Sequence, residues 1–210
     1  VGRASRSRSS ARPRSRPRSR SMPKVVRTKV IVAGDPAVGK TALVQMFSSS
    51  GAKFPKTYQM TCGVEFCSKQ VPIPDTDVSV ELHIFDTGGQ DLFTEMLPSL
   101  WKGGAAIVLV YDPTRPYTFE ACRSWFQRVH EVLQPPRPLP GVLVANKMDL
   151  AERVQVLRQD GMQMAQELGL QYAETSAKDA QDVEEPFKLI AAAVKRAFDQ
   201  SGEGLPGEEY

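Results

Sequence analysis

Gly34-Asp35-Pro36-Ala37-Val38-Gly39-Lys40-Thr41 is the stretch whose reading decides the fold. It has the spacing G-x-x-x-x-G-K-T of a phosphate-cradling loop. Glycines let backbone N–H groups curl around a polyphosphate, and a helix N-terminus behind them adds positive dipole. Lys40 would reach the β- and γ-phosphates, and the Thr41 hydroxyl would hold Mg²⁺. A plain glycine-rich strand-to-helix turn could share the spacing, so context matters. Before the loop, Arg27 to Ala33 is β-branched and ends apolar, as a buried parallel strand does. After it, Thr41 to Phe47 can run as a helix. Strand, loop and helix come in the order the motif requires.

Outward from this loop, the remaining chain alternates strand-like and helical segments. Val64 to Ile73 and Ser79 to Phe85 are joined by Pro74-Asp75-Thr76-Asp77, which predicts an antiparallel hairpin. Val80, Leu82 and Ile84 then share one side, and Glu81 and His83 the other. Apolar strands are predicted at 105–111, 142–145 and 170–174. A short helix is expected around 92–97, with longer ones at 118–133, 157–168 and 183–198. Phe119, Cys122, Phe126, Val129 and Leu133 form the apolar stripe of the 118–133 helix. Phe187, Ile190, Val194 and Phe198 form that of the last. His83 and His130 read as solvated residues rather than ligands. The pattern is α/β: a doubly wound, mostly parallel six-stranded sheet with one antiparallel edge hairpin.

Composition narrows the class. The chain has 210 residues, 41% hydrophobic and 24% charged, enough for one domain with a full core. No apolar run is long enough to span a membrane, and no secretory signal is expected. Three cysteines, Cys62, Cys67 and Cys122, lack C-x-x-C spacing, which argues for a reducing compartment and against zinc or disulfides. The net charge of +3 hides an asymmetry: residues 1–20 carry eight arginines and no acid, leaving −5 for the rest. Residues 1–23 are expected to be a disordered Arg/Ser/Pro tail. Such a tail can attract RNA or an acidic membrane, but the preferred reading places it upstream of a start at Met22-Pro23-Lys24. Nucleic acid is therefore not the expected partner. The domain proper is read as 24–199, followed by a flexible tail, 200–210.

Each further motif falls where a strand ends. In Asp86-Thr87-Gly88-Gly89-Gln90, Asp86 can hold Mg²⁺ through water and the Gly89 N–H can touch a γ-phosphate. Gln90 can orient the attacking water. In Asn146-Lys147-Met148-Asp149, the Asp149 carboxylate can accept from N1–H and the 2-amino group of guanine together. Adenine offers no such pair, so the nucleotide is GTP or GDP rather than ATP. In Glu174-Thr175-Ser176-Ala177-Lys178, the Ala177 N–H could donate to guanine O6.

These boxes, in this order across roughly residues 25–198, resemble the small Ras-like GTPases, a branch of the P-loop NTPases with the small G-protein fold. The resemblance implies nucleotide contacts from Asp35 to Ala42 and from Asn146, Lys147, Asp149, Ser176, Ala177 and Lys178. Within Phe54-Pro55-Lys56-Thr57-Tyr58-Gln59-Met60-Thr61 it implies that Phe54 covers the guanine or its ribose and Tyr58 lies over the phosphates. Thr61 joins Thr41 and Asp86 around Mg²⁺. Gln90, Lys40 and Thr61 are the implied catalytic residues. Gly63-Val64-Glu65-Phe66, Leu109-Val110-Tyr111-Asp112 and Trp101 look Rab-like. Unlike Rab proteins, the sequence has no cysteine after Cys122, so no C-terminal lipid anchor is expected.

The loop Gly-Asp-Pro-Ala-Val-Gly-Lys-Thr, the hairpin from Val71 to Leu82, and the runs Met96 to Trp101 and Leu139 to Lys147 resemble one group. That group is the Rab-like GTPase subunit of intraflagellar transport complex B. It implies a heterodimer with the small β-sandwich subunit of that complex, exchange and activating proteins, and a place in the cytoplasm, the cilium or flagellum and its basal body. A vesicle-trafficking Rab, or a nucleotide-locked structural subunit with little turnover, are the alternatives.

Two residues bear on rate. Pro36 lacks an N–H and adds bulk beside the γ-phosphate position. Gly88 stands where alanine is usual in the family, which loosens the hinge of the second of the two switch loops, read at about 51–64 and 86–98. Arg115 reads as a solvated loop charge, not as an in-chain arginine finger. Slow intrinsic hydrolysis follows, accelerated when a partner donates an arginine.

Overall fold

The computed structural model describes residues 24–57, 59–89 and 96–201. Six strands form one sheet: β1 (Lys24–Ala33), β2 (Val64–Pro72), β3 (Val78–Thr87), β4 (Ala106–Tyr111), β5 (Gly141–Ala145) and β6 (Gln171–Glu174), in the order β2-β3-β1-β4-β5-β6. Only β2 with β3 is antiparallel; the other pairs are parallel. The expected sheet with its one antiparallel edge hairpin is therefore present.

Helices cover both faces: α1 (Lys40–Ser48), α2 (Leu97–Trp101), α3 (Pro116–Leu133), α4 (Arg158–Glu167) and α5 (Glu185–Ser201), with a 3-10 segment at Met148–Arg153. The period-2 alternation of each central strand feeds two cores. Val30 and Val32 of β1, Val108 and Val110 of β4, and Val142 and Val144 of β5 pack with Leu43, Phe47, Phe187, Ile190 and Val194. Ile31 and Ala33, Ile107 and Leu109, and Leu143 pack on the other face with Trp101, Phe119, Trp125 and Met164. With both faces covered, these strands read as continuous apolar runs. Phe47 and Phe187 stack at 3.9 Å between ring centroids, which ties α1 to α5.

Several boundaries differ from expectation for identifiable reasons. β1 starts three residues earlier because Lys24 pairs with Val78 and its N–H donates to Asp77. β3 runs on through Asp86 and Thr87, held by Val32 on one side and Val64 on the other. A short helix lies at 97–101, and residues 92–95 of the expected segment 92–97 are outside the described residues. On α3 the buried line is Thr118, Phe119, Cys122, Trp125 and Val129, so Trp125 replaces Phe126 in the expected stripe. Phe126 is half-buried beside the His130 ring. His83 is half-buried beside Glu81 and Phe66, in keeping with its place on the more polar side of β3. Among the described residues no helix is long and apolar enough to cross a membrane.

Candidate nucleotide site

All four expected boxes end on the rim formed by the C-terminal ends of β1, β3, β5 and β6. This is where an open parallel sheet gathers ligands. The loop between β1 and α1 turns on Gly34 (φ 142°), Ala37 (φ 60°) and Gly39 (φ 96°). Gly34 and Gly39 are required sterically as well as conformationally. A Cβ at Gly34 would sit 2.2 Å from Val110 O, and one at Gly39 would sit 2.3 Å from Asn146 Nδ2.

The loop carbonyls are engaged by side chains from within the fold. Lys40 Nζ donates to Gly34 O at 2.8 Å and to Asp35 O at 2.9 Å. Asn146 Nδ2 donates to Val38 O at 2.9 Å. Lys147 Nζ and Arg115 Nη2 donate to Ala37 O at 2.6 and 2.7 Å. Trp125 Nε1 donates to the Asp35 carboxylate at 2.8 Å, so Asp35 serves the loop through its backbone while its side chain anchors it to α3. Carbonyls engaged this way leave the peptide N–H groups for the concave side, the arrangement an anion needs. Burial draws the Lys40 ammonium down to about 8, against the pull of Asp86 and Asp35.

Beside Lys40, three oxygens converge. Thr41 Oγ1 lies 2.7 Å from Thr61 Oγ1 and donates to Asp86 Oδ2 at 2.5 Å. Asp86 Oδ1 is buried with no hydrogen-bond partner. Burial lifts this carboxyl to about 6, opposed by the Thr41 hydrogen bond and Lys40. One carboxylate with an orphaned oxygen and two hydroxyls fit Mg²⁺, a hard cation that keeps part of its water shell. Among the described residues no group of three or more His, Cys, Asp or Glu side chains gathers.

The base-binding side is equally connected. Asn146 is buried and its Oδ1 accepts from Thr175 Oγ1 at 3.1 Å and from the Ala177 N–H at 3.2 Å. The Ala177 donor read as serving guanine O6 is thus engaged by Asn146 here. Ser176 Oγ donates to Asp149 Oδ1 at 2.9 Å, and Lys178 lies 3.5 Å from Asp149 Oδ2. These contacts fix the acceptor pair that would read guanine.

Toward the switch segments the packing is different. Phe54 and Met60 are 44% and 43% exposed. The Gly88 N–H donates to Gly63 O at 2.8 Å, and a Cβ at Gly88 would sit 2.5 Å from Thr61 O. Glycine at 88 therefore makes room for the backbone carrying Thr61, a role separate from the looser hinge expected of it. A Cβ at Gly89 would meet Gly34 O at 2.6 Å, so this glycine lets β3's end approach the phosphate loop. Tyr58 and Gln90 lie outside the described residues.

Arg115 overturns its expected role as a solvated charge. Its side chain is 30% exposed, and besides Ala37 it grips Asp112, Nε to Oδ2 at 3.0 Å. Asp112 and Trp125 were the other participants missed. A signal for Asp112 is that β4 ends on the same rim, and Asp112-Pro113-Thr114 follows it as polar strand-end residues follow β3, β5 and β6.

Residues 29–196 match the Ras family, and with this fold and rim the chain belongs to the Ras family of small GTPases. It is similar to the human intraflagellar transport protein 27 homolog, 47% identical over 163 residues, covering 78% of this chain and 87% of that protein. The Chlamydomonas reinhardtii intraflagellar transport protein 27 is 41% identical over 180 residues, covering 83% and 87% of the two chains. The Trypanosoma brucei brucei homolog is 37% identical over 180 residues, covering 86% and 96%. The resemblance drawn from the boxes is borne out.

Proposed function

We propose that this chain is a GTP- and GDP-binding, slowly GTP-hydrolysing subunit of the intraflagellar transport machinery. The observation that carries the nucleotide part is the loop from Gly34 to Thr41. Its carbonyls at 34, 35, 37 and 38 are each engaged by a donor from within the fold. Asp149, held by Ser176 and Lys178, supplies the guanine acceptor. Thr41, Thr61 and Asp86 would hold Mg²⁺. When bound, that ion would supply neutralisation of the charge that develops in phosphoryl transfer. Lys40 stabilises the same charge, Thr61 positions the first switch, and Gln90 orients the attacking water.

The low rate follows from Pro36, which supplies no N–H on the anion side and narrows the approach to the γ-phosphate. Ciliary transport follows from the named relatives. The partner, a small β-sandwich subunit, and the cytoplasmic and basal-body pools follow from the resemblance of the loop and hairpin. Single-turnover hydrolysis on the purified chain tests the rate, with ~10⁻³ s⁻¹ or less expected without a partner. Turnover of several per second in isolation would defeat it. Copurification of a small β-sandwich protein with the tagged chain from ciliated cells tests the partner; its absence from an otherwise intact transport complex counts against the pairing.

A further inference from the structure

The Arg115 contact is unlike the others in the loop's rear wall. Ala37 adopts the left-handed region at φ 60°, unfavourable for a residue with a Cβ. Its carbonyl accepts from two cations, Arg115 Nη2 and Lys147 Nζ, at 2.7 and 2.6 Å. The same two cations meet on Asp112 Oδ2, Arg115 Nε at 3.0 Å and Lys147 Nζ at 2.8 Å. Asp112 is only 2% exposed, and its Oδ1 accepts from the Thr114 N–H and hydroxyl at 3.0 and 2.6 Å. The ring Ala37–Arg115–Asp112–Lys147 is closed, and each bond in it involves a charged group. Arg115 is positioned at the N-cap of α3, where the Thr118 hydroxyl donates to its carbonyl at 2.8 Å.

We infer that Arg115 is a positioning residue that sets how long guanine nucleotide stays bound, by fixing the strained turn at Ala37. The inference rests on the guanine-nucleotide reading above. Lys147 alone would leave Ala37 O with one donor, and Asp112 Oδ2 would lose its second cation. Arg115 reaches the two acceptors through separate nitrogens of one planar group, Nε and Nη2, whereas a lysine at 115 would have a single nitrogen to reach both from that position. The strained peptide would then relax, and the N–H groups that follow it, at Val38 and Gly39, would lose their aim. The loss falls on the bound state, so dissociation accelerates while association is little changed.

Stopped-flow release and capture of a fluorescent GDP by the full chain with Mg²⁺ tests this, using R115A, R115K and R123A. Arg123 pairs with Glu167 at 2.6 Å on the exposed side of α3 and controls for loss of an ion pair far from the loop. R115A should release GDP roughly ten- to hundredfold faster, the scale of a lost charge-assisted hydrogen bond. Its association rate should stay within about twofold. R115K, with the charge kept and the bridge lost, should fall between R115A and wild type. R123A should release GDP like wild type. Release by R115A within twofold of wild type overturns the inference, as does R115K matching wild type, since charge alone would then suffice. If R115A does not fold, R115K decides by the same criterion. A wild-type chain that captures no nucleotide defeats the guanine-nucleotide reading itself, and this inference with it.

Discussion

The site has a rear and a front that are held by different means. At the rear, the phosphate loop, Asn146, Asp149 and the turn at 175–177 are joined through buried or half-buried hydrogen bonds among elements far apart in sequence. At the front, the segment leading to Thr61 touches the end of β3 through Gly88 N–H to Gly63 O, with Phe54 and Met60 left exposed. Buried, fully partnered polar groups are costly to disturb, whereas exposed segments with few such bonds open at low free energy. Nucleotide capture is therefore a property of the fold. On the proposed reading, sensing the γ-phosphate falls to the front.

Gly39→Ala should disturb the rear most severely. Its Cβ would stand 2.3 Å from Asn146 Nδ2 at a φ of 96°. Strain of roughly 1–3 kcal/mol combines with the loss of a buried hydrogen bond of similar size. GDP affinity should fall by at least about a hundredfold and the melting temperature should drop, measured by fluorescent-nucleotide titration and thermal unfolding. Next comes Asp149→Ala, which removes the guanine acceptor pair and leaves Ser176 Oγ without its partner. GDP affinity should weaken on the order of a hundredfold while the weak affinity for ATP stays put. Parallel loss for both nucleotides would mean Asp149 is structural rather than selective.

The rear was largely legible in the sequence, because its glycines, amide and carboxylate are fixed by backbone geometry and base chemistry. Gly39 is an example: one steric requirement and one φ leave no other residue. Within the ring around Ala37, the Arg115 contact is not legible. Arg115 lies 78 residues from Ala37, and an arginine after a strand looks the same whether it faces water or a carbonyl. Trp125 was missed for a related reason: its helical spacing counts as core whether or not its indole N–H reaches Asp35. The front was read only through resemblance, and the packing of Thr61 O against Gly88 depends on two loops meeting, which local pattern does not encode.

That packing allows the front to be altered alone. Gly88→Ala places a methyl 2.5 Å from Thr61 O and 3.2 Å from Gly63 O, both backbone atoms that must shift. Thr61 then leaves Thr41 and Asp86. The Mg²⁺ concentration needed to slow GDP release should rise severalfold, while release in EDTA stays as in wild type. Chelation itself should accelerate release from wild type, the outcome expected of Mg²⁺ held by Thr41, Thr61 and Asp86 as proposed. If G88A changed release equally with and without Mg²⁺, front and rear would not be separable.

The smallest effect concerns pH and sharpens the rear. Burial favours the neutral form of Asp112, but hydrogen bonds from Lys147 and Thr114 and the Lys147 charge outweigh it, so the carboxyl titrates below its ordinary value. Arg115 Nε donates to the same Oδ2 oxygen. For a carboxylate lowered on folding, the stabilisation is complete above the unfolded value near pH 4 and is lost as pH falls through the folded value. Asp112 should therefore add no pH dependence between about pH 5 and 8. D112N, which keeps the shape but loses the charge, should lower the melting temperature by a few degrees at pH 7 and by less at pH 3.5. The difference between the two proteins, not either curve alone, isolates this group from Asp86 and Lys40, which also titrate away from their ordinary values. An equal gap at both pH values would mean that the ring depends on the shape of Asp112 and not on its charge.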